Sequence, residues 1–318
     1  MNLKVGNTPL IKIKYKYNGK EKYIYTKLES YNITGSIKDR VALYIIKQAY
    51  KQGKLKKGME IVEATSGNTG ISLSALGAYF GNPVHIFMPD WVSKERLNLM
   101  KMYNAKVTLI SKEEGGFKRA IKEAKEYSIK HNAFYSNQFE NEDNVLAHYE
   151  TTGKEILDSL ENIEGFVSGI GTGGTLMGIA KRLKEKNKDI KIYALEPDKM
   201  PLISQNKIYE NHKIEGIGDD FIPKIVDIEK IDKVIIVNDE DSINMSKKLA
   251  LNLGIGVGIS GGANMIASVI AKEENDGNIV TVFPDDNKKY LSTDLSKKIN
   301  NNPNYISNKI ELIDYEFV

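Results

Sequence analysis

The sequence predicts an α/β protein with two domains, each built on a mostly parallel twisted sheet flanked by helices. Short apolar and β-branched runs, which are typical of strands, alternate with longer segments whose apolar residues have helical spacing. Such alternation indicates crossover connections between parallel strands. Nine strand-like runs are more than one sheet usually holds, which favours a second sheet.

These elements can be placed along the chain. Strands are predicted at 23–25, 60–62, 84–87, 106–110, 133–135, 165–167, 190–195, 233–237 and 279–283. Helices are predicted from Lys38 onward and over 69–81, 116–130, 174–187, 240–253 and 261–273. The tail 298–318 breaks the alternation, and we expect a loop there followed by a last docked segment.

Composition excludes several classes of function. The 318-residue chain carries 45 basic and 42 acidic side chains but only four arginines, with no basic stripe interleaved with aromatic residues, so we expect no nucleic-acid partner. The chain has no cysteine, which excludes disulfides and cysteine-ligated metals, and its four histidines lack metal-type spacing. No apolar run approaches the length of a membrane span and the N-terminus lacks an apolar signal core, so we expect a cytoplasmic protein.

Lys38 follows a glycine- and serine-containing turn over 32–37 and opens a helical pattern. An ammonium in the first turn of a helix lies against the positive end of the helix dipole, which favours the neutral amine. A neutral lysine amine can condense with an aldehyde, which is how enzymes hold pyridoxal phosphate. The alternative is a solvated surface lysine, and the two segments described next argue against it.

The first of these segments is a polar turn between a predicted strand and a predicted helix. It reads Thr65-Ser66-Gly67-Asn68-Thr69-Gly70. Helix N-termini present unpaired N–H groups and a favourable dipole, so they bind carboxylates and phosphates. The alternative is an ordinary capped helix, but four hydroxyl and amide side chains exceed what one cap needs.

The second segment is glycine-rich and follows the strand predicted at 165–167. It reads Gly169-Ile170-Gly171-Thr172-Gly173-Gly174-Thr175. Such a run lets the backbone wrap closely around a phosphate. It also matches the dinucleotide pattern G-x-G-x-x-G with Glu196 about twenty residues further on, which leaves a nicotinamide oxidoreductase as a remote alternative.

Together the two segments suit one ligand with two anionic ends. A phosphate would lie at 171–175, a carboxylate at 65–69, and Lys38 would supply a covalent link between them. An amino acid joined to pyridoxal phosphate has this layout. A dinucleotide would leave Lys38 and the first segment without a role.

Four segments resemble the cysteine synthase and cystathionine β-synthase family, the fold type II enzymes of pyridoxal phosphate. They are 34–40 (TGSIKDR), 65–70 (TSGNTG), 171–175 (GTGGT) and 290–293 (YLST), in the family's order. The resemblance extends from Gly6 to Thr293.

The resemblance implies a role for each of these segments. Lys38 would bind the cofactor covalently, Asn68 its ring hydroxyl, and Gly171, Thr172, Gly173, Gly174 and Thr175 its phosphate. Thr65, Ser66, Asn68, Thr69 and Gln138 would hold the substrate carboxylate. Members are typically homodimers in which a smaller domain, here 41–145, closes over the substrate. The larger domain would combine 1–40 with 146–318.

The chain departs from the family at three places. Ile33 stands where the family usually has proline, which changes only the stiffness of the turn. Asp286 aligns with a serine that, in the family, faces the pyridine nitrogen of the cofactor. A carboxylate at that position would keep the nitrogen protonated. A shift of one residue in the alignment would instead place Asp286 on the surface.

The third departure is a pair of carboxylates, Asp219 and Asp220, in a loop that borders the active-site mouth in the family. Cysteine synthases have small residues at both positions, and Asp220 alone matches an aspartate of cystathionine β-synthases. A carboxylate there would repel hydrosulfide and help to activate water or a thiol. The alternative is two solvated aspartates in a loop.

We therefore predict a pyridoxal-phosphate-dependent β-replacement on a three-carbon amino acid. Asp219 and Asp220 favour cysteine as the donor, with release of hydrogen sulfide and formation of serine, lanthionine or a related thioether. O-acetylserine sulfhydrylase activity is the nearest alternative, together with a cystathionine β-synthase type of reaction. A catalytically idle homologue is disfavoured because Lys38 is intact.

Overall fold

The computed structural model describes residues 3–298 and 302–318 and confirms the predicted α/β class. The strands are β1 (Leu10–Tyr17), β2 (Lys20–Leu28), β3 (Ile61–Ala64), β4 (Val84–Pro89), β5 (Lys106–Ile110), β6 (Phe134–Tyr135), β7 (Ile163–Gly169), β8 (Lys191–Pro197), β9 (Lys233–Val237), β10 (Asn278–Phe283) and β11 (Glu311–Phe317). In the described part of the chain, no helix combines the length and apolar character that crossing a membrane requires.

Eleven α-helices connect or cover these strands in the described residues. They are α1 (Lys38–Lys51), α2 (Asn68–Phe80), α3 (Lys94–Met102), α4 (Gly116–Lys130), α5 (Asp143–Ala147), α6 (Gly153–Ser159), α7 (Gly174–Lys186), α8 (Leu202–Gln205), α9 (Asp239–Leu253), α10 (Ile259–Glu273) and α11 (Ile306–Lys309).

The larger sheet has seven strands in the order β11-β1-β2-β10-β7-β8-β9. Strands β2, β10, β7, β8 and β9 run parallel, whereas β1 pairs antiparallel with both β2 and β11. The strand β11 is the docked segment expected within 298–318, and it continues the sheet beyond β1. Apolar side chains on both faces of the parallel strands are buried under helices, as parallel sheets require.

The smaller sheet is entirely parallel, in the order β5-β4-β3-β6. Helices α1, α2 and α3 bury one face, through residues such as Ile46, Leu73 and Met100. Helix α4 buries the other face through Ala120 and Ala124. All four strands fall within 41–145, and the domain boundaries at 40/41 and 145/146 stay a prediction.

The carboxyl ends of strands from both sheets meet at one pocket. Thr65 follows β3, Ser168 and Gly169 end β7, and Pro284 follows β10, and all four residues line that pocket. Open α/β sheets bind ligands outside the carboxyl ends of their strands, so the topology places the candidate site here.

Candidate active site

Three helices begin at this pocket. Helix α1 begins at Lys38, α2 at Asn68 and α7 at Gly174. The first N–H groups of an α-helix have no acceptor inside the helix. In α1 these groups already donate to Ser36 and Ile37, so the starts of α2 and α7 are the ones available to anions. In contrast, α9 is capped by Asn238, whose side chain accepts from the N–H groups of Glu240 and Asp241.

The Lys38 amine lies in the wall of the pocket, where burial lowers its pKa to about 8, although the carboxylates of Asp285 and Asp219 act in the opposite direction. The amine forms no ion pair with any described residue. Roughly a tenth of Lys38 is therefore neutral at pH 7, far more than for an ordinary lysine, and a neutral amine is the form that condenses with an aldehyde.

The predicted carboxylate-binding residues come together on the α2 side of the pocket. Thr65, Ser66, Asn68, Thr69 and Gln138 all line it. The Thr69 hydroxyl donates to Gln138 Oε1 at 2.6 Å, and Gln138 Nε2 donates to the Ala64 carbonyl at 2.9 Å. These bonds fix Gln138 opposite the start of α2, although its segment is remote in sequence.

Glu63 supports this side of the pocket from behind. Its buried carboxylate accepts hydrogen bonds from the Ser136 hydroxyl at 2.6 Å and from the Gln138 N–H at 3.0 Å. Burial raises the pKa of Glu63 to about 7. Glu63 therefore positions the segment that carries Gln138 without contacting the pocket itself.

The glycine-rich segment forms the other anion-binding side. Gly171, Thr172, Gly173 and Thr175 line the pocket, whereas Gly174 packs against Asn144. Gly173 has a φ of 90°, in the left-handed region that favours glycine. A Cβ at Gly171 would lie 2.2 Å from the Gly216 carbonyl oxygen, so the segment is held tightly against the loop that carries Asp219.

The two threonine hydroxyls of this segment are held by buried partners. Thr172 Oγ1 accepts from Asn144 Nδ2 at 2.9 Å, and Thr175 Oγ1 lies 3.2 Å from His148 Nε2. Burial lowers the pKa of His148 well below its usual value, so the imidazole is neutral.

Asp219 and Asp220, both predicted to border the mouth of the active site, occupy different environments in the structure. Asp219 lines the pocket, and burial, with the neighbouring Asp220 charge, raises its pKa to about 7 against the opposing effect of Lys38. Asp220 lies outside the pocket and forms a 2.8 Å ion pair with the exposed Lys118.

Asp286 and its neighbour Asp285 also occupy different environments. Asp286 caps the following turn by accepting from the Lys288 N–H at 3.1 Å and lines a different surface depression. Asp285 is buried, and its Oδ2 accepts from Asn68 Nδ2 at 2.7 Å and from the Tyr290 hydroxyl at 2.6 Å. Asp286 does not line the pocket, and Asp285 reaches its wall only through Asn68, so the role of Asp286 at the cofactor nitrogen stays a prediction.

Sequence reasoning missed Arg96, which is buried and lines the pocket from α3. Its guanidinium forms an ion pair with Glu215 and lies 4.7 Å above the Tyr290 ring. It also packs on Gly67, where a Cβ would approach Arg96 Cδ to 2.5 Å. The scarcity of arginine in this chain was the available signal.

The donor set of the pocket fits pyridoxal phosphate. A lysine amine with a lowered pKa suits its aldehyde, and the open start of α7 with two threonine hydroxyls suits its phosphate. Asn68, which the resemblance assigns to the ring hydroxyl, lies in the same wall as Lys38. Lys38, Asn68, Gly171, Thr172, Gly173 and Thr175 would hold the cofactor.

Comparisons with known proteins agree with this fit. The family model for pyridoxal-phosphate dependent enzymes matches residues 1–285. A cysteine synthase of Staphylococcus aureus is 42% identical over 295 residues, which cover 92% of this chain and 94% of that protein.

Solved structures are similar over nearly the whole chain. A hydrogen sulfide-producing enzyme from Fusobacterium nucleatum superposes with a TM-score of 0.95 at 47% identity, covering 99% of this chain and 97% of the other. A cysteine synthase from Entamoeba histolytica superposes with a TM-score of 0.88 at 38% identity, covering 96% of this chain and 93% of the other.

Proposed function

This chain belongs to the cysteine synthase and cystathionine β-synthase family of pyridoxal-phosphate-dependent enzymes, and on that basis we propose that L-cysteine is its donor substrate. The family catalyses β-replacement on small amino acids. In this proposal the enzyme releases hydrogen sulfide and forms serine, lanthionine or a related thioether. The observation that carries it is the position of Asp219 in the wall that also contains Lys38.

Asp219 suits a reaction that expels and replaces sulfur. With a pKa of about 7, its carboxyl is shared between the protonated and ionised forms at neutral pH. The protonated form can donate to a departing thiolate, and the ionised form can accept a proton from incoming water or thiol. The ionised form also repels hydrosulfide, which disfavours the reverse synthesis of cysteine from sulfide.

Lys38 is proposed to hold the cofactor and then to move the proton at the substrate Cα. When bound, pyridoxal phosphate supplies the electron sink for the pair left on Cα. The lowered pKa of Lys38 suits a base that works near neutral pH. The carboxylate side of the pocket, with Thr65 and Gln138, would orient the substrate so that its Cα faces this amine.

Synthesis of cysteine from O-acetylserine is the second candidate function. It is favoured by the similarity to the Staphylococcus aureus cysteine synthase over 92% of this chain. A cystathionine β-synthase type of reaction is a further alternative, since Asp220 matches an aspartate of the cystathionine β-synthases in the resemblance. The homodimer that the resemblance implies stays a prediction, which light scattering of the purified protein tests.

The test compares two incubations of the holoenzyme, one with cysteine and one with O-acetylserine plus sulfide. We expect cysteine to yield hydrogen sulfide together with serine or lanthionine, identified by mass spectrometry. We expect Asp219→Asn to lower sulfide release roughly 10²-fold or more, because a positioned acid or base contributes about 10²–10⁴ in rate.

Asp220→Asn is the matched control, since Asp220 lies outside the pocket and pairs with Lys118. Because the Asp220 charge contributes to the raised pKa of Asp219, the pH profile of this variant should bend at a lower pH than that of the parent. Its rate of sulfide release should fall by less than about fivefold, because an exposed ion pair usually contributes no more than that. The pH profile of the parent should also bend near pH 7, and the bend should be absent from Asp219→Asn. Unchanged turnover of cysteine by Asp219→Asn would contradict the proposal.

A further inference from the structure

Lys289 is a buried lysine behind the wall of the catalytic pocket, and the proposed chemistry gives it no role. It is 4% exposed and does not line the pocket. Burial lowers the pKa of its ammonium, whereas the carboxylates of Asp285, Asp286 and Asp39 act in the opposite direction and favour the charged form. Burying a charged group costs free energy unless polar partners compensate it, so the hydrogen bonds of Lys289 indicate what this cation does.

The Lys289 ammonium joins two segments of the candidate site. Its Nζ donates to the Gly35 carbonyl at 3.0 Å, in the turn that precedes Lys38. The same Nζ donates to Asn68 Oδ1 at 3.1 Å, at the start of α2. One buried cation therefore connects the turn before the pocket lysine to the first residue of the helix on the opposite side.

These contacts determine the orientation of the Asn68 amide. An ammonium has donors only, so the atom that faces Lys289 is the amide oxygen. The amide nitrogen then lies on the other side, where Nδ2 donates to Asp285 Oδ2 at 2.7 Å. An amide nitrogen carries two hydrogens, and no acceptor in the described part of the chain takes the second one. Because Asn68 lines the pocket, this N–H is available to a ligand.

We propose that Lys289 is a positioning residue for the cofactor, which holds the Asn68 amide so that an N–H donor, rather than the oxygen, is presented to the ring hydroxyl of pyridoxal phosphate. The same ammonium ties Asn68 to the turn before Lys38, so one side chain sets two groups that would meet the cofactor. This inference goes beyond the proposed function, because it does not depend on which donor substrate the enzyme uses.

The orientation of Asn68 has a spectroscopic consequence. An N–H donor beside the ring hydroxyl favours its ionised form, because a hydrogen bond to the charged form of an acid lowers its pKa. An amide oxygen at the same place would favour the neutral hydroxyl. When pyridoxal phosphate is bound to a lysine, the ionised form absorbs in the visible range and the neutral form in the near ultraviolet. The ratio of the two bands therefore reports the orientation of Asn68 without any turnover.

The test is the absorbance spectrum of the purified holoenzyme in variants of Lys289. Lys289→Met removes the donor at similar side-chain length, and we expect the ratio of the visible to the ultraviolet band to fall roughly tenfold, the scale of one hydrogen bond to a charged group. Lys289→Arg keeps a cation with donors only and should retain most of the parental ratio. Lys288→Met is the matched control, because the neighbouring Lys288 side chain is 82% exposed.

A double variant separates positioning through Asn68 from a general structural effect. In Asn68→Ala the band ratio should already be low, and adding Lys289→Met should then change it by less than about twofold. Circular dichroism and cofactor content show that each variant is folded and loaded. If Lys289→Met does not fold, Lys289→Gln replaces it, because a neutral amide can present an oxygen or an N–H to Asn68 and no longer fixes its orientation. The ratio should fall in that variant as well.

Three results would overturn the positioning role of Lys289. They are a band ratio that stays at the parental value in the folded Met or Gln variant, an equal fall in Lys288→Met, and a full effect of Lys289→Met in the Asn68→Ala background. Failure of the proposed function is a separate result. It is seen in the products formed from cysteine, whereas these spectra are recorded without substrate.

Discussion

Lys38 and Arg40 are two residues apart in the first turn of α1, yet they occupy opposite kinds of environment. Lys38 lies in the pocket wall without an ion-pair partner among the described residues, and burial lowers its pKa to about 8. Arg40 is buried in a cluster of carboxylates, and its pKa is raised because Glu29 and Glu155 outweigh the effect of burial.

The Arg40 cluster leaves few of its charges unsatisfied. Arg40 Nε donates to Glu29 at 2.7 Å, and its Nη1 donates to Glu155 at 2.6 Å. Lys27 also donates to Glu155 at 2.7 Å, and Thr8 donates to Glu29 at 2.7 Å. Arg40 and Lys27 hold the pKa of Glu155 at about 2 although burial alone would raise it.

The comparison shows how one helix serves two purposes. A buried charge that is fully paired keeps its ionisation state and joins remote segments. A buried charge that is left unpaired exchanges its proton near neutral pH, which is what catalysis requires. Activity should therefore depend on Lys38 and stability on Arg40.

The largest expected effect is on activity, from Lys38→Ala. We expect the rate of β-replacement to fall by roughly 10³-fold or more, because both the covalent anchor and the base are lost. The free energy of unfolding should not fall, since Lys38 stabilises no ion pair and its lowered pKa costs stability at neutral pH. Product formation and urea unfolding measure the two effects.

Lys47→Ala is the control, because Lys47 is an exposed lysine of the same helix. It should retain parental activity. A Lys38→Ala variant that kept more than about a tenth of the parental rate would show that the amine is not the catalytic group.

The second effect is on stability, from Arg40→Met. Removing one partner from a buried ion pair typically costs about 3–5 kcal/mol, because the other charges remain buried. We expect that loss in urea unfolding of Arg40→Met, while cofactor absorbance in the folded protein is retained. A loss below about 1 kcal/mol would mean that the cluster does not stabilise the fold.

The smallest effect concerns Asp219, whose pKa rises from 3.8 to about 7 on folding. A raised carboxyl pKa contributes nothing to stability below both values and costs stability progressively as the pH rises through that window. Asp219→Asn should therefore be more stable than the parent by about 1–2 kcal/mol at pH 8, after allowance for partial solvent exposure. At pH 4 the difference should vanish, and an equal difference at both pH values would contradict this assignment.

Local patterns in the sequence predicted most of the fold. The helix expected over 116–130 is α4 with the same bounds, because apolar residues at helical spacing determine which face is buried. Strand β1 was not predicted, and β11 was predicted only as a docked segment without assigned secondary structure. Strand β11 is mostly exposed and forms through antiparallel pairing with β1, a contact between the two ends of the chain that no local pattern encodes.

The candidate site likewise has residues that local patterns predicted and residues that they did not. Lys38, Thr65 and Gly173 lie in short motifs at or just before helix starts, so the sequence predicted that they would line one pocket. The distinction between Asp285 and Asp286 depends on a single-residue register that only the packing of Tyr290 and Asn68 determines. Arg96 reaches the pocket from a separate helix.

The open starts of α2 and α7 affect how long the protein survives in a cell. Ligands that satisfy those N–H groups favour the folded state, and occupancy at a hundredfold excess over Kd adds about 2.7 kcal/mol. The lifetime of the enzyme against proteases would then increase with the supply of vitamin B6 and of its amino-acid substrate. Nutrient availability would set the amount of enzyme as well as its rate.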